Sequence, residues 1–201
     1  MEHLPVNRGF KTHVGFLSGS ESYSYGGGNK DPTKGTHDLW RLLAPDVERV
    51  PNMTYSTDFY GAKAVEFIHE HGDEHRHYAH ALASGVALDD LEEPNPFFMY
   101  LAIQNVHTPY TLPEPWEVQN FTNMWDHTYA NMLAIMDDVV ANVSQALHSA
   151  NLWDNTLIIF SADNGGIDRV RSKKKGCCCV FVIVLVLCGK FRCLCRETTT
   201  R

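Results

Sequence analysis

The 201 residues suit one domain of ordinary size or part of a larger one, and 44% hydrophobic content is enough for a core, which excludes a chain disordered throughout. The net charge of −7 hides a division: residues 1–168 carry 8 Lys/Arg against 23 Asp/Glu, and residues 169–201 carry 9 against one. An acidic body excludes a phosphate-tracking nucleic-acid binder, because counterion release needs a basic surface.

The chain opens Met1-Glu2-His3-Leu4-Pro5, with neither the basic start nor the apolar run of a signal peptide. Residues 1–50 are rich in Gly, Ser and Tyr and read as loop with short ordered pieces. Around 58–71 a rough apolar stripe of Phe59, Ala62, Ala64, Val65, Phe67 and Ile68 predicts a helix ending near Gly72. Residues 72–93 are polar and histidine-rich, and read as an excursion between ordered elements. His69, His71, His75, His77 and His80 offer metal-like spacings there, His71 to His75 among them. Without cysteines or strong periodicity nearby, a solvated loop is the expectation.

After Pro94-Asn95-Pro96 comes a continuously apolar run, Phe97 to Ile103, which suits a strand buried on both faces of a parallel sheet. Pro109, Pro113 and Pro115 make 107–121 a loop. Over 126–149 the pattern is helical, with Met132, Ile135, Met136, Val139, Val143 and Leu147 on one face. Thr156 to Phe160 predicts a second buried strand. Strand, helix, strand is a right-handed βαβ unit, and ligands of open α/β sheets bind beyond the carboxyl ends of the strands. Two polar clusters fall there: Gln104-Asn105-Val106-His107 and Asp163-Asn164-Gly165-Gly166.

Composition changes after Ile167. All six cysteines, Cys177, Cys178, Cys179, Cys188, Cys193 and Cys195, lie in the last part. Residues 177–189 form an apolar stretch flanked by Lys173-Lys174-Lys175 and Lys190. It is shorter than the ~20 residues of a membrane helix, so membrane association is expected only if that segment is genuine, for instance through palmitoylated cysteines. Residues 169–201 therefore read as an unrelated basic, Cys-rich tail on a body of 1–168. Sequons stand at Asn52, Asn120 and Asn142 and mean glycosylation only on the secretory route.

Asp163 and Asn164 offer a carboxylate and an amide oxygen, donors suited to a hard cation such as Ca²⁺ or Mg²⁺. Asp-Asn-Gly-Gly is also ordinary turn composition, and from the four residues alone the turn is the reading. His107, after one strand and before Pro109, can donate to an anion or act as a general acid; taken alone, a loop histidine with no role is the simpler reading, since the chain has 11 histidines.

Together these blocks resemble the type I sulfatases, and within them the arylsulfatase B, I and J group. The resemblance is carried by Gly9-Phe10-Lys11-Thr12-His13-Val14-Gly15-Phe16 with Gly19-Ser20-Glu21-Ser22-Tyr23, and by Phe98 through Gln104-Asn105-Val106-His107-Thr108-Pro109. Tyr129-Ala130-Asn131-Met132 through Asp138, and Leu152-Trp153-Asp154-Asn155-Thr156 through Gly166, complete it. It implies an α/β chain, a fragment of the alkaline-phosphatase-like fold with a mostly parallel sheet flanked by helices, from a lysosomal or secretory hydrolase of sulfated sugars or aryl sulfates. It also implies that Asp163 and Asn164 are two ligands of one Ca²⁺ and that His107 contacts the sulfate. The family's nucleophile, a formylglycine made in a Cys-x-Pro-x-Arg motif, has no counterpart in these 201 residues, nor do its early Asp-Asp metal pair, its Lys-x-His segment and its later lysine. The chain alone is therefore expected to be inactive as a sulfuric ester hydrolase. The alternatives left open are a non-catalytic fragment that binds sulfated ligands or is inert, and another phospho- or sulfo-hydrolase of the same superfamily. The sequence does not fix the oligomeric state.

Overall fold

The computed structural model describes residues 3–17, 22–24, 39–43, 46–50, 54–113 and 127–164, and the backbone of 181–187. Near the amino end, β1 (Thr12–Gly15), β2 (Trp40–Leu43) and β3 (Asp46–Arg49) form an antiparallel sheet in that order. The sequence offered only loop with short ordered pieces here. Four-residue strands are too short to show alternation against a Gly-rich background.

The first helix, α1, runs Ser56–Ala83. This corrects the expected stop near Gly72 and the reading of 72–93 as an excursion. No proline interrupts the chain between Ser56 and Pro94, and the helical segment after Gly72 is, apart from Tyr78 and Leu82, built of Asp, Glu, His, Arg and Ala that a solvated helix face accepts. Gly72 is kept within the helix by packing: a Cβ there would lie 2.7 Å from Ala150 Cβ, beyond the end of the second helix. The stop comes instead at Gly85, whose φ of +85° is the left-handed conformation glycine adopts readily. Val86 N–H donates to Ala81 O at 3.2 Å and Gly85 N–H to Leu82 O at 3.1 Å, the Schellman arrangement that satisfies the last carbonyls.

The second helix, α2 (His127–Ser149), agrees with the sequence reading. Met132, Ile135, Met136, Val139, Val143 and Leu147 are all buried. At the crossing of α1 and α2, a Cβ on Gly61 would lie 2.8 Å from Val139 Cγ2, so this glycine also marks a close approach. Tyr60, Ala64 and Ile68 of α1 join Met136, Val139, Val143 and Leu147 of α2 in one core with Leu101 and Ile103 from the sheet beneath.

That sheet holds β4 (Phe98–Ile103), β5 (Thr156–Ala162) and β6 (Phe181–Leu187) in the order β4-β6-β5. The α/β class holds, and β4, α2 and β5 follow one another as expected. The strand order differs from the expected mostly parallel arrangement. β4 and β5 point the same way but are not neighbours, because β6 lies between them and pairs antiparallel with both. Part of the region read as a tail thus supplies the middle strand, its apolar run being of strand length. No helix among the described residues is long and apolar enough to cross a membrane.

The described residues cover one face of this sheet. Leu101 and Ile103 are buried under the helices, while on the other face Phe98 and Tyr100 are 52% and 54% exposed and Leu157 and Ile159 about half exposed. This corrects the expectation of strands buried on both sides. A continuous apolar run leaves its periodicity unreadable, so the sequence did not distinguish the covered face from the open one.

Candidate functional site

The register levels the two strand ends that carry the polar clusters. Ile103, last in β4, and Ala162, last in β5, are both partners of Phe181. Two strand spacings of ~4.8 Å separate them, so they stand on one edge of the sheet roughly 10 Å apart. His107 follows β4 by four residues, and Asp163 and Asn164 follow β5 directly.

The loop after β4 is fixed from beneath by a buried polar web. Asn105 is fully buried. Its Oδ1 accepts from Tyr55 OH at 3.0 Å and from Thr57 Oγ1 at 2.7 Å, and its Nδ2 donates to Met132 O at 2.6 Å. Tyr55 OH also donates to Thr111 O at 2.9 Å, and Ser56 Oγ donates to Gln104 Oε1 at 2.9 Å, so the start of α1 grips both sides of the loop. Tyr23, stacked on Tyr55 at 5.2 Å, donates from its hydroxyl to His107 O at 2.6 Å and Gln104 O at 3.0 Å. Burial pushes both phenols well above the usual tyrosine range, and the neighbouring phenol adds to this at Tyr23. They stay protonated donors.

The His107 backbone N–H closes a turn onto Gln104 O at 3.0 Å. Its Nδ1 lies 2.5 Å from Thr108 O. A carbonyl oxygen only accepts, so Nδ1 carries the proton and the Nε2 lone pair is left for another partner.

Asp163 and Asn164 are exposed at the sheet edge. One carboxylate and one amide oxygen fit a hard cation in kind but not in number, since Ca²⁺ takes six to eight oxygens. No three His, Cys, Asp or Glu side chains gather around a point among the described residues. A cation held here would supply positive charge to oxyanion oxygens. Asp163 and Asn164 bring two side-chain oxygens to the end of β5, and His107 brings an imidazole to the loop after β4.

Sequence reasoning named His107, Asp163 and Asn164 but not what lies beneath the loop: Tyr23, Tyr55 and Thr57 stand 48 to 84 positions away from the residues they bond. The adjacent Gln104-Asn105 pair was the available signal. Of the sequons, Asn142 is exposed on α2; Asn52 and Asn120 lie outside the described residues, as do Gly165, Gly166 and all six cysteines.

A family model described as Sulfatase matches residues 5–175. Arylsulfatase J of Mus musculus is 29% identical over 167 residues, 81% of this chain and 24% of that protein. An uncharacterized sulfatase, YdeN, of Escherichia coli is 26% identical over 170 residues, 83% of this chain and 24% of its own length. Arylsulfatase A of Homo sapiens is 29% identical over 111 residues, 55% of this chain and 20% of the human protein. The chain spans about a quarter of the length of the curated relatives it matches.

Proposed function

The chain belongs to the sulfatase family, and from that premise we propose that it forms the sulfate-facing rim of a sulfuric ester hydrolase and does not turn over substrate by itself. The rim consists of His107, Asp163 and Asn164. The observation that carries the reading is the register: the ends of β4 and β5 are level, so both clusters belong to one edge. Asp163 and Asn164 would hold a Ca²⁺, which would supply positive charge to offset the sulfate oxygens. His107, its Nδ1 proton committed to Thr108 O, takes up a second proton at Nε2, contacts the sulfate through that N–H and hands this proton to the departing ester oxygen.

Hydrolysis also needs a nucleophile, and no Cys-x-Pro-x-Arg occurs in the 201 residues. One histidine and half a metal site do not replace it. Sulfated sugars or aryl sulfates are the expected ligand class, and the lysosomal or secretory route the expected location, with Asn142 open to glycosylation. The division at residue 168 is part of this reading: the catalytic-domain portion precedes it, and the later segment contributes β6.

The test has two arms. Purified chain is assayed with a generic aryl sulfate, and calorimetry follows a sulfated oligosaccharide with and without Ca²⁺. No turnover, and calcium-dependent binding lost in Asp163→Ala, is the expected result. Turnover abolished by His107→Ala overturns the inactivity, and binding indifferent to Asp163→Ala overturns the rim.

A further inference from the structure

The histidines after residue 68, expected as a solvated loop, are arrayed on α1, and one pair of them meets. His71 and His75 are one helical turn apart, with Nε2 atoms 3.2 Å from each other and rings 4.8 Å apart at 70°. Two imidazole nitrogens on one tetrahedral divalent cation, each bonded at about 2.0–2.1 Å, stand roughly 3.3 Å apart. The pair is already at ligand spacing.

His71 is held rigidly. It is 8% exposed, stacked on Phe67 and met edge-on by Phe97 with centroids 4.9 Å apart. Its Nδ1 lies 3.4 Å from Glu74 Oε2. A carboxylate accepts, so the His71 proton sits on Nδ1 and the Nε2 lone pair is directed at His75. This is the carboxylate–histidine relation found behind metal-ligating imidazoles.

We propose that His71 and His75 together ligate a divalent transition-metal cation of the zinc, nickel or copper class, with Glu74 orienting His71 from behind. Without metal, the two facing nitrogens share one proton, donated by His75 to His71. On binding, that proton moves to His75 Nδ1, both Nε2 lone pairs bond the cation, and no net proton is lost. Two protein ligands leave coordination positions open for water or an exchangeable ligand; His71 and Glu74, though not His75, also line a cleft of about 1040 Å³. Imidazole selects borderline cations, whereas the oxygens of Asp163 and Asn164 suit a hard one. The two places also differ in position: Phe97, against His71, precedes β4, and His107 follows it, with six residues or ~20 Å of strand between.

The test is calorimetric titration of the full chain with Ni²⁺ and, separately, Zn²⁺, its six cysteines alkylated because thiolates take such ions too. Imidazole ¹⁵N signals are followed alongside. One saturable site with Kd below about 1 mM is expected, with the His71 and His75 signals moving together. His75→Ala, at a partly exposed position, weakens binding by more than about tenfold, and Glu74→Gln weakens it by about 10–100-fold, while His69→Ala, whose side chain lines a different cleft, leaves it unchanged. The proposal is overturned by affinity unaltered in His75→Ala, or by the lack of any saturable binding of either ion.

Discussion

Truncating Asn105 to alanine removes the hub that holds the His107 loop. Three hydrogen bonds go at once, to Tyr55, Thr57 and Met132. Tyr55 keeps its bond to Thr111 O, and the Met132 carbonyl keeps its helical partner, so Thr57 bears the largest loss. Each net bond is worth about 0.5–1.5 kcal/mol and a stranded buried hydroxyl costs about 1–3 kcal/mol, which together give a loss of about 3 kcal/mol in stability. Urea unfolding followed by circular dichroism measures it, and a cycle with Thr57→Val isolates a coupling of about 1 kcal/mol. Asn105→Asp is the sharper control. Its oxygens still accept from Tyr55 and Thr57, but an ionised carboxylate opposes Met132 O, so its cost grows as the group ionises. A loss below about 0.5 kcal/mol in Asn105→Ala, the scale of an inconsequential surface change, refutes the reasoning.

Gly72→Ala gains about 1 kcal/mol of helix preference but forces a Cβ to 2.7 Å from Ala150 Cβ and 3.3 Å from its Cα. Overpacking against backbone costs about 1–3 kcal/mol, so the melting temperature should fall, and Ala150→Gly should restore it. Tyr23 and Tyr55 have folded pKa values above the ordinary 10.0, so their contribution is intact below pH 10 and lost as pH rises beyond it. Phenolate absorbance should show Tyr23 and Tyr55 titrating only with unfolding, so that Tyr55→Phe lowers by one the number of tyrosines in that late step. Deleting 169–201 takes away β6, the partner of six residues of β4 and seven of β5, and leaves two bare strand edges. Light scattering should show aggregation; a soluble monomer with unchanged melting contradicts the strand order.

The parts of the fold written in local pattern were legible. The stripe of α2 and the apolar runs of β4 and β5 stand in the sequence, and they put His107, Asp163 and Asn164 just past strand ends, while the roles given to these three come from the resemblance. The parts decided by distant partners were not. Gly72 looked like a helix stop because its reason for being glycine is Ala150, 78 positions on. β6 looked like a tail because a strand's place in a sheet depends on which edges it meets. The Tyr23–Tyr55–Asn105 web was invisible because hydrogen bonds across 50 and more positions leave no local pattern. His71 and His75 were visible as a spacing, but only the continuous helix brings their nitrogens together.

The measurement that bears most directly on the rim is the ¹⁵N spectrum of His107 as a sulfated ligand is added in the presence of Ca²⁺. If residues 107, 163 and 164 serve one anion and one cation, the Nε2 signal shifts only when both are present, and Asp163→Ala abolishes the shift. A shift that survives Asp163→Ala, or appears equally without Ca²⁺, contradicts a shared site.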